Sequence, residues 1–358
     1  MRVLLLGSTG VIGRRVAAEL ARTEEVTDLI VGGRNYETLR RSTSLLGENT
    51  RAALLDLEDD ALLGTACVQA DVVVNCCGPA HLTELPAASA AIEAGVAYVS
   101  LGNDYAAAGA VAELDERARS TGATVVSGCG LSPGITTLLA ALAREELDDV
   151  TETEISIAHS YRDLPTETQT SHLLHTLEAP GATINDYELE VDRSGDSPHL
   201  NYFPEPVGWV ETVGCSHPEL HNLKSQGLRS MTVGFGLTEK AAMDALRSLA
   251  LTPLTSTRVA QRVLNLALAL PPRGPRWSAA RVDVVGHRDG HPATVSLGVV
   301  DHLINLASSP MILATLKLGK GQRSPGVRSP AEAFDHRDFL AQLGGRGTRI
   351  ARLEPLAL

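Results

Sequence analysis

Lysine is scarce in this chain, although arginine brings Lys+Arg to 31 against 43 Asp+Glu. Only four lysines (Lys224, Lys240, Lys317, Lys320) stand among 358 residues, and the formal net charge is −12. That balance argues against a nucleic-acid partner, which needs a basic surface. Cysteine is scarce too. Cys67, Cys76, Cys77, Cys129 and Cys215 are an odd number without Cys-x-x-Cys spacing. They fit neither a disulfide framework nor a zinc ribbon, and they suit a reducing compartment. Long apolar runs are missing. Val3 to Leu6 is four residues long and runs into a glycine turn, so it does not read as a signal peptide. Leu303 to Leu318 is interrupted by Asn305, Ser308, Ser309, Pro310 and Lys317, too short and too broken to span a bilayer. There is no internal repeat and no low-complexity tract. The expectation is a cytoplasmic protein without membrane contact. What remains is ordinary globular material, 44% apolar and 21% charged. The length suggests about two domains, at roughly 100–200 residues each.

The most informative stretch is the first. Val3-Leu4-Leu5-Leu6 breaks at Gly7-Ser8-Thr9-Gly10-Val11-Ile12-Gly13, after which Ile12, Val16 and Leu20 fall at helical spacing. Strand, glycine turn and helix is the order a dinucleotide's pyrophosphate requires. The glycines permit a tight turn and close backbone approach, and the helix N-terminus offers free N–H groups and a positive dipole end. A second run, Leu29-Ile30-Val31, ends in Gly32-Gly33-Arg34. An NAD site usually places an acid here for the ribose 2′-OH. An arginine instead points to NADP(H), with its planar, permanently charged fork beside the 2′-phosphate. Asn35 and Arg14 stand near enough in sequence to assist.

Strand and helix alternate through the first 130 residues. Strands are expected at Ala52–Leu55 (ending at Asp56), Asp71–Cys77, Ala97–Leu101 and Ala123–Ser127, each preceded by a helical segment. Six near-continuous apolar strands with crossover helices make a doubly wound parallel sheet, a Rossmann arrangement with its crevice at the carboxyl ends of the strands. Near Gly130 the pattern changes to period-two alternation, as in Tyr187-Leu189-Val191, Met231-Val233-Phe235 and Val295-Leu297-Val299. These are half-buried strands of a mixed or antiparallel sheet. Two helices accompany them: Thr238–Leu249, presenting Ala242, Leu246 and Leu249, and Thr257–Leu270, presenting Val259, Val263, Leu266 and Leu270. The expected organisation is a Rossmann domain over 1–130, an α/β domain over 131–318 and a C-terminal segment over 319–358.

These residues resemble the saccharopine dehydrogenase/reductase-like group of NADP-dependent oxidoreductases. The likeness is carried by Gly7-x-x-Gly10-x-x-Gly13, Gly33-Arg34-Asn35, Asn75-Cys76-Cys77-Gly78-Pro79, Ala94 to Val99 and Gly128 to Gly134. Phe203 to Gly208 and Ser216-His217-Pro218-Glu219 extend it into the second domain. The resemblance implies an α/β domain that binds substrate and pairs subunits into a homodimer, with the C-terminal segment packing back on the first domain. Members of the group act on different bonds. The leading expectation is hydride transfer at a C–N bond of a small imine or secondary amine. The polar stretch His159-Ser160-Tyr161-Arg162 to His172 supports it. A C=C (enoyl) or carbonyl reductase for a lipid or carrier-bound intermediate is the alternative, and a non-catalytic NADP-binding redox sensor a further one.

The cofactor residues expected on this reading are Gly7, Ser8, Thr9, Gly10, Val11, Ile12, Gly13, Arg34, Asn35, Asp56, Asn75, Cys76, Gly78 and Pro79. Hydride transfer needs positioning, electrostatics and one proton route. Asp104 and Tyr105, placed after the fifth strand, and His172 are the catalytic candidates, although an Asp before Ala106 also suits a helix cap. Cys129, between two glycines, is a minority candidate for a reactive thiol. No metal is expected. Cys215, His217, Glu219 and His221 alternate as on a strand face, but Pro218 interrupts a regular strand.

Overall fold

The computed structural model describes residues 1–193, 198–224, 228–250, 257–270 and 276–353. The chain divides into two compact units, Met1–Gly134 with Ala307–Asp335, and Ile135–Leu306 with His336–Leu358.

The first unit opens with β1 (Arg2–Leu6), α1 (Val11–Leu20), β2 (Asp28–Gly33), α2 (Tyr36–Thr43), β3 (Thr50–Leu54), α3 (Asp60–Cys67) and β4 (Val72–Asn75). It continues with α4 (Ala80–Glu93), β5 (Ala97–Ser100), α5 (Tyr105–Ala112), α6 (Asp115–Thr121) and β6 (Thr124–Val126). The central strands are apolar throughout because helices cover both faces. Val3 to Leu6, Leu29 to Val31 and Val72 to Val74 are all buried, each such side chain contributing about 1.5–3 kcal/mol when fully withdrawn from water.

The second unit runs α7 (Ile135–Arg144), β7 (Asp149–His159), α8 (Glu167–Glu178), β8 (Pro180–Asn185), β9 (Glu188–Arg193), β10 (His199–Phe203) and β11 (Gly208–Gly214). Then come α9 (Glu219–Lys224), β12 (Ser230–Leu237), α10 (Lys240–Ala250), α11 (Thr257–Ala267), β13 (Ser278–Arg288) and β14 (His291–Asp301). The chain ends with α12 (Leu303–Gly319), β15 (Gly326–Arg328), α13 (Pro330–Ala333), α14 (His336–Gly345) and β16 (Arg349–Arg352).

The first sheet has the order β15-β6-β5-β4-β1-β2-β3, and every pairing is parallel. Reversal of strand order at β1 and β4 opens the crevice that the doubly wound fold offers to ligands. The second sheet follows β10-β11-β12-β7-β13-β14-β16, with β8 pairing to β12 and β9. It is mixed: β12 lies parallel to β7, and the other neighbours are antiparallel. The expected fold class, a doubly wound parallel sheet plus a mixed α/β unit, is what the chain adopts.

Three details differ from expectation. A seventh strand, β15, joins the first sheet beside β6, with Val327 N donating to Asp115 Oδ1 (2.8 Å) and Arg328 pairing with the same carboxylate (2.9 Å). The tail therefore does not form one segment from 319. Ala307–Asp335 belongs to the first unit, whereas β16 pairs antiparallel with β14 in the second. Second, the stripe on α11 is reversed. Val259, Val263, Leu266 and Leu270 are exposed, and Ala260, Leu264 and Ala267 are buried, on a helix that packs against α8 and α10. Third, residues 215–218 form a connection and Glu219 begins α9, so alternate positions from Cys215 do not share a strand face. Among the described residues no helix is long and apolar enough to cross a membrane.

Candidate functional site

The glycine turn after β1 is built to bring the backbone close to a ligand. Gly7 adopts φ +77°, and a Cβ there would lie 2.6 Å from the Cys76 carbonyl carbon. A Cβ on Gly13 would lie 2.1 Å from the Gly7 carbonyl oxygen. The turn closes through Gly10 N donating to Gly7 O (3.1 Å). Helix α1 starts with Gly10 at its N-cap, with no side-chain cap and no acid in the first turn. Its dipole end and orphan N–H groups are thus left for an anion. The buried Ser8 Oγ has no hydrogen-bond partner among the described residues, although a buried hydroxyl ordinarily has one. Thr9 and Gly10 are exposed, and Val11 and Ile12 are half-buried. This is the donor set a pyrophosphate takes.

Beyond β2, Arg34 is exposed and among the described residues has no ion-pair or hydrogen-bond partner. Its charge reaches the glycine turn's neighbour: burial pushes the Cys77 thiol up to about 11, and the Arg34 guanidinium opposes that rise. Asn35 takes a local role, its Oδ1 accepting from Thr38 N (3.0 Å) as the N-cap of α2. Asp56 follows β3 and accepts from Glu58 N (3.2 Å) in a tight turn.

The turn after β4 is pinned by Asn75. Its Oδ1 accepts from Cys77 N (2.9 Å), and its Nδ2 donates to the Tyr98 hydroxyl (3.0 Å) and Thr83 O (3.3 Å). Thr83 Oγ1 reaches the carbonyls of Cys77 (3.1 Å) and Pro79 (3.2 Å). Residues Asn75, Cys76, Gly78 and Pro79 are thereby presented beside the glycine turn, as the 2.6 Å gap between a Gly7 Cβ and Cys76 shows. The Cys76 sulfur faces inward, 3.9 Å from Met311 Sδ, and burial holds its thiol well above the ordinary range.

Two catalytic candidates, Asp104 and Tyr105, stand together at the start of α5, and the third, His172, is on α8. Asp104 is the N-cap of α5, with Oδ1 accepting from Ala107 N (2.8 Å), so the capping reading describes what this oxygen does. Tyr105 opens α5, and partial burial raises its phenol. His172 lies half-buried on α8 of the second unit. Its neighbour His159 is held neutral, lowered to about 3 by burial and then by the charge of His172. Cys129 is fully buried, 3.6 Å from Pro310 O, and burial raises it beyond any reactive range.

A cluster that sequence reading passed over lies behind the Asn75 turn. Glu84, 2% exposed on α4, accepts from the hydroxyls of Ser100 and Ser127 (2.9 Å for the latter). The signal was available: a lone carboxylate on the core face of a helix otherwise lined by Ala87, Ala88, Ala91 and Ile92.

Comparison with known proteins agrees with this geometry. Residues 3–126 match the family model of the saccharopine dehydrogenase NADP binding domain. The chain is 29% identical over 132 residues to trans-acting enoyl reductases of Mycobacterium leprae and Mycobacterium tuberculosis, over 36% of this chain and 32% of each relative. It thus spans about a third of the length of those curated relatives. Apo saccharopine dehydrogenase (L-Glu forming) from Saccharomyces cerevisiae shares the fold, with TM-score 0.68 and 16% identity over 99% of this chain and 100% of that one. The glycine cradle, the orphan Ser8 hydroxyl and the family match agree: residues 3–126 form an NADP-binding domain of the saccharopine dehydrogenase type, and the cofactor is NADP(H).

Proposed function

We propose that the chain is an NADPH-dependent reductase of a polarised C=C bond in a small or carrier-bound molecule. When bound, NADPH supplies the hydride. The chain's own part is to hold the pyrophosphate at Gly7–Gly13 and α1, the 2′-phosphate at Arg34, and the nicotinamide end at Asn75–Pro79.

The observation that turns the reading away from an amine substrate is the state of the polar stretch after β7. Ser160 Oγ donates to Glu239 (2.9 Å), the Tyr161 hydroxyl bonds Thr170 (2.6 Å), and Arg162 donates to Leu268 O (2.9 Å). His159 is uncharged. These groups build the second unit's own interior rather than a polar wall for a charged amine. The name of the mycobacterial relatives points the same way.

In such a reduction hydride adds to one carbon and a proton to its neighbour, so one proton donor is needed. Tyr105 is our candidate: its raised phenol stays protonated at neutral pH, the form a donor requires. The half-buried His172 is the second candidate. Asp104 we assign to the helix cap. Subunit pairing into a homodimer and a cytoplasmic setting complete the proposal.

The test follows NADPH oxidation with enoyl thioesters, imines, and 2-oxo acids plus amines. Turnover of enoyl thioesters is expected. Turnover confined to the imine or amine-forming arm replaces the reading with C–N chemistry, and tight NADPH binding without turnover in any arm replaces it with the sensor.

A further inference from the structure

Glu84 sits where three strand ends converge. Ser100 closes β5, Ser127 follows β6, and both hydroxyls donate to the same carboxyl oxygen. Ser100 is the register partner of Asn75 at the end of β4, and the buried Tyr98, also on β5, accepts from Asn75 Nδ2 (3.0 Å). Among the described residues, every hydrogen-bond partner of the Glu84 carboxyl is a neutral hydroxyl. An ionised carboxylate is almost never fully buried unless paired with a cation or coordinated, and the charged group that does act on Glu84 is the like-charged Asp104. The titratable neighbours are therefore Tyr98 and Asp104, with His81 one turn earlier on α4. Arg117 of α6 reaches α4 only at its exposed end, at Glu93 (2.6 Å).

We infer that Glu84 is an uncharged carboxylic acid in the folded protein and the positioning residue for the Asn75–Pro79 turn. Its carbonyl oxygen accepts the two seryl hydroxyls. Ser100 pairs in register with Asn75, and Thr83, the residue before Glu84, accepts from Asn75 Nδ2 (3.3 Å) and donates to the Cys77 and Pro79 carbonyls. Asn75 Oδ1 in turn holds Cys77 N. The chain of bonds links α4 to the ends of β4, β5 and β6, and ionisation would place an unpaired charge at its centre. That this turn meets the nicotinamide rests on the cofactor reading above; the neutral acid does not.

The sign of the pH dependence follows. Burial raises Glu84 above the ordinary carboxylate range, so its stabilisation is full below that range and is lost as pH rises through the folded value. Two measurements on the whole chain test this. Infrared difference spectra of wild type and Glu84→Gln, without cofactor, should show a protonated-carboxyl C=O band at neutral pH that the variant lacks. Thermal unfolding should show Glu84→Gln gaining on wild type as pH rises, because the amide cannot ionise. NADPH titration completes the set: the variant should bind within about twofold of wild type at neutral pH and lose the wild type's alkaline weakening. Absence of the band, or parallel pH profiles, overturns the inference. A band and divergent stability profiles in a chain that does not bind NADPH would instead overturn the cofactor reading.

Discussion

Replacing Gly13 by alanine tests the cradle with one methyl group. The new carbon would lie 2.1 Å from the Gly7 carbonyl oxygen and 2.8 Å from its carbonyl carbon. Even close carbon–oxygen contacts in proteins settle at about 3.3–3.6 Å, so Gly7 must move by roughly 1 Å. Gly7 has little room to do so. Its carbonyl closes the turn through Gly10 N, and its own Cα position faces the backbone of Cys76 and Cys77. Overpacking of this kind costs about 1–3 kcal/mol, which lowers Tm by roughly 2–12 °C for a unit of this size. Because the displaced atoms are those that approach the pyrophosphate, NADPH affinity should fall by about tenfold or more, at 1.4 kcal/mol per decade. Fluorescence titration of NADPH and a thermal melt measure both. Gly64→Ala is the control, since it sits in α3 with nothing within 4 Å of the new carbon. It should stabilise by about 0.5–1 kcal/mol and leave binding unchanged. A Gly13→Ala protein with wild-type melting and NADPH affinity would refute the close-approach argument.

The cap assignment for Asp104 separates two substitutions. Asp104→Asn keeps an N-cap oxygen and should retain stability and turnover, whereas Asp104→Ala should lose about 1 kcal/mol in denaturant unfolding. Loss of turnover in the Asn variant by the 10²–10⁴-fold typical of about one removed acid–base group would restore a catalytic role. For the thiols, burial raises Cys67 to about 12 and Cys215 to about 12, and Cys129 further. Native protein at mildly alkaline pH should therefore react with Ellman's reagent at Cys67, Cys129 and Cys215 only as fast as it unfolds. A rapid thiol lost on Cys129→Ser together with activity would reinstate the nucleophile reading.

Much of the first unit was legible because its signals are local. Apolar runs of three or four residues, alternating with helical segments, leave few alternatives, and Gly7 to Gly13 states its own geometry. The less legible parts depend on partners distant in sequence. Strand β15 is three residues long and reads as loop until β6 and Asp115 supply its bonds. On α11 Val259, Val263 and Leu266 form the more conspicuous stripe, yet the buried face is Ala260, Leu264 and Ala267. Periodicity finds an apolar face but does not say which face is covered. The partners of the polar stretch from Ser160, Glu239 and Leu268, lie far along the chain, beyond the reach of local spacing. Glu84 stands out in the sequence as a lone carboxylate on an apolar helix face, but its partners do not, since Ser100 and Ser127 reach it only when the parallel strands align.

The central claim is that the cofactor is NADP(H), recognised at its 2′-phosphate by Arg34. Titration of wild type and Arg34→Ala with NADPH and NADH tests it most directly. Hydrogen bonds to charged groups contribute about 1.5–3 kcal/mol, or roughly a 10–150-fold difference in affinity. The wild type should bind NADPH more tightly than NADH by a factor in that range. Arg34→Ala should lose most of the preference by weakening NADPH alone. Equal binding of the two cofactors by wild type, or an undiminished preference in Arg34→Ala, would contradict the account.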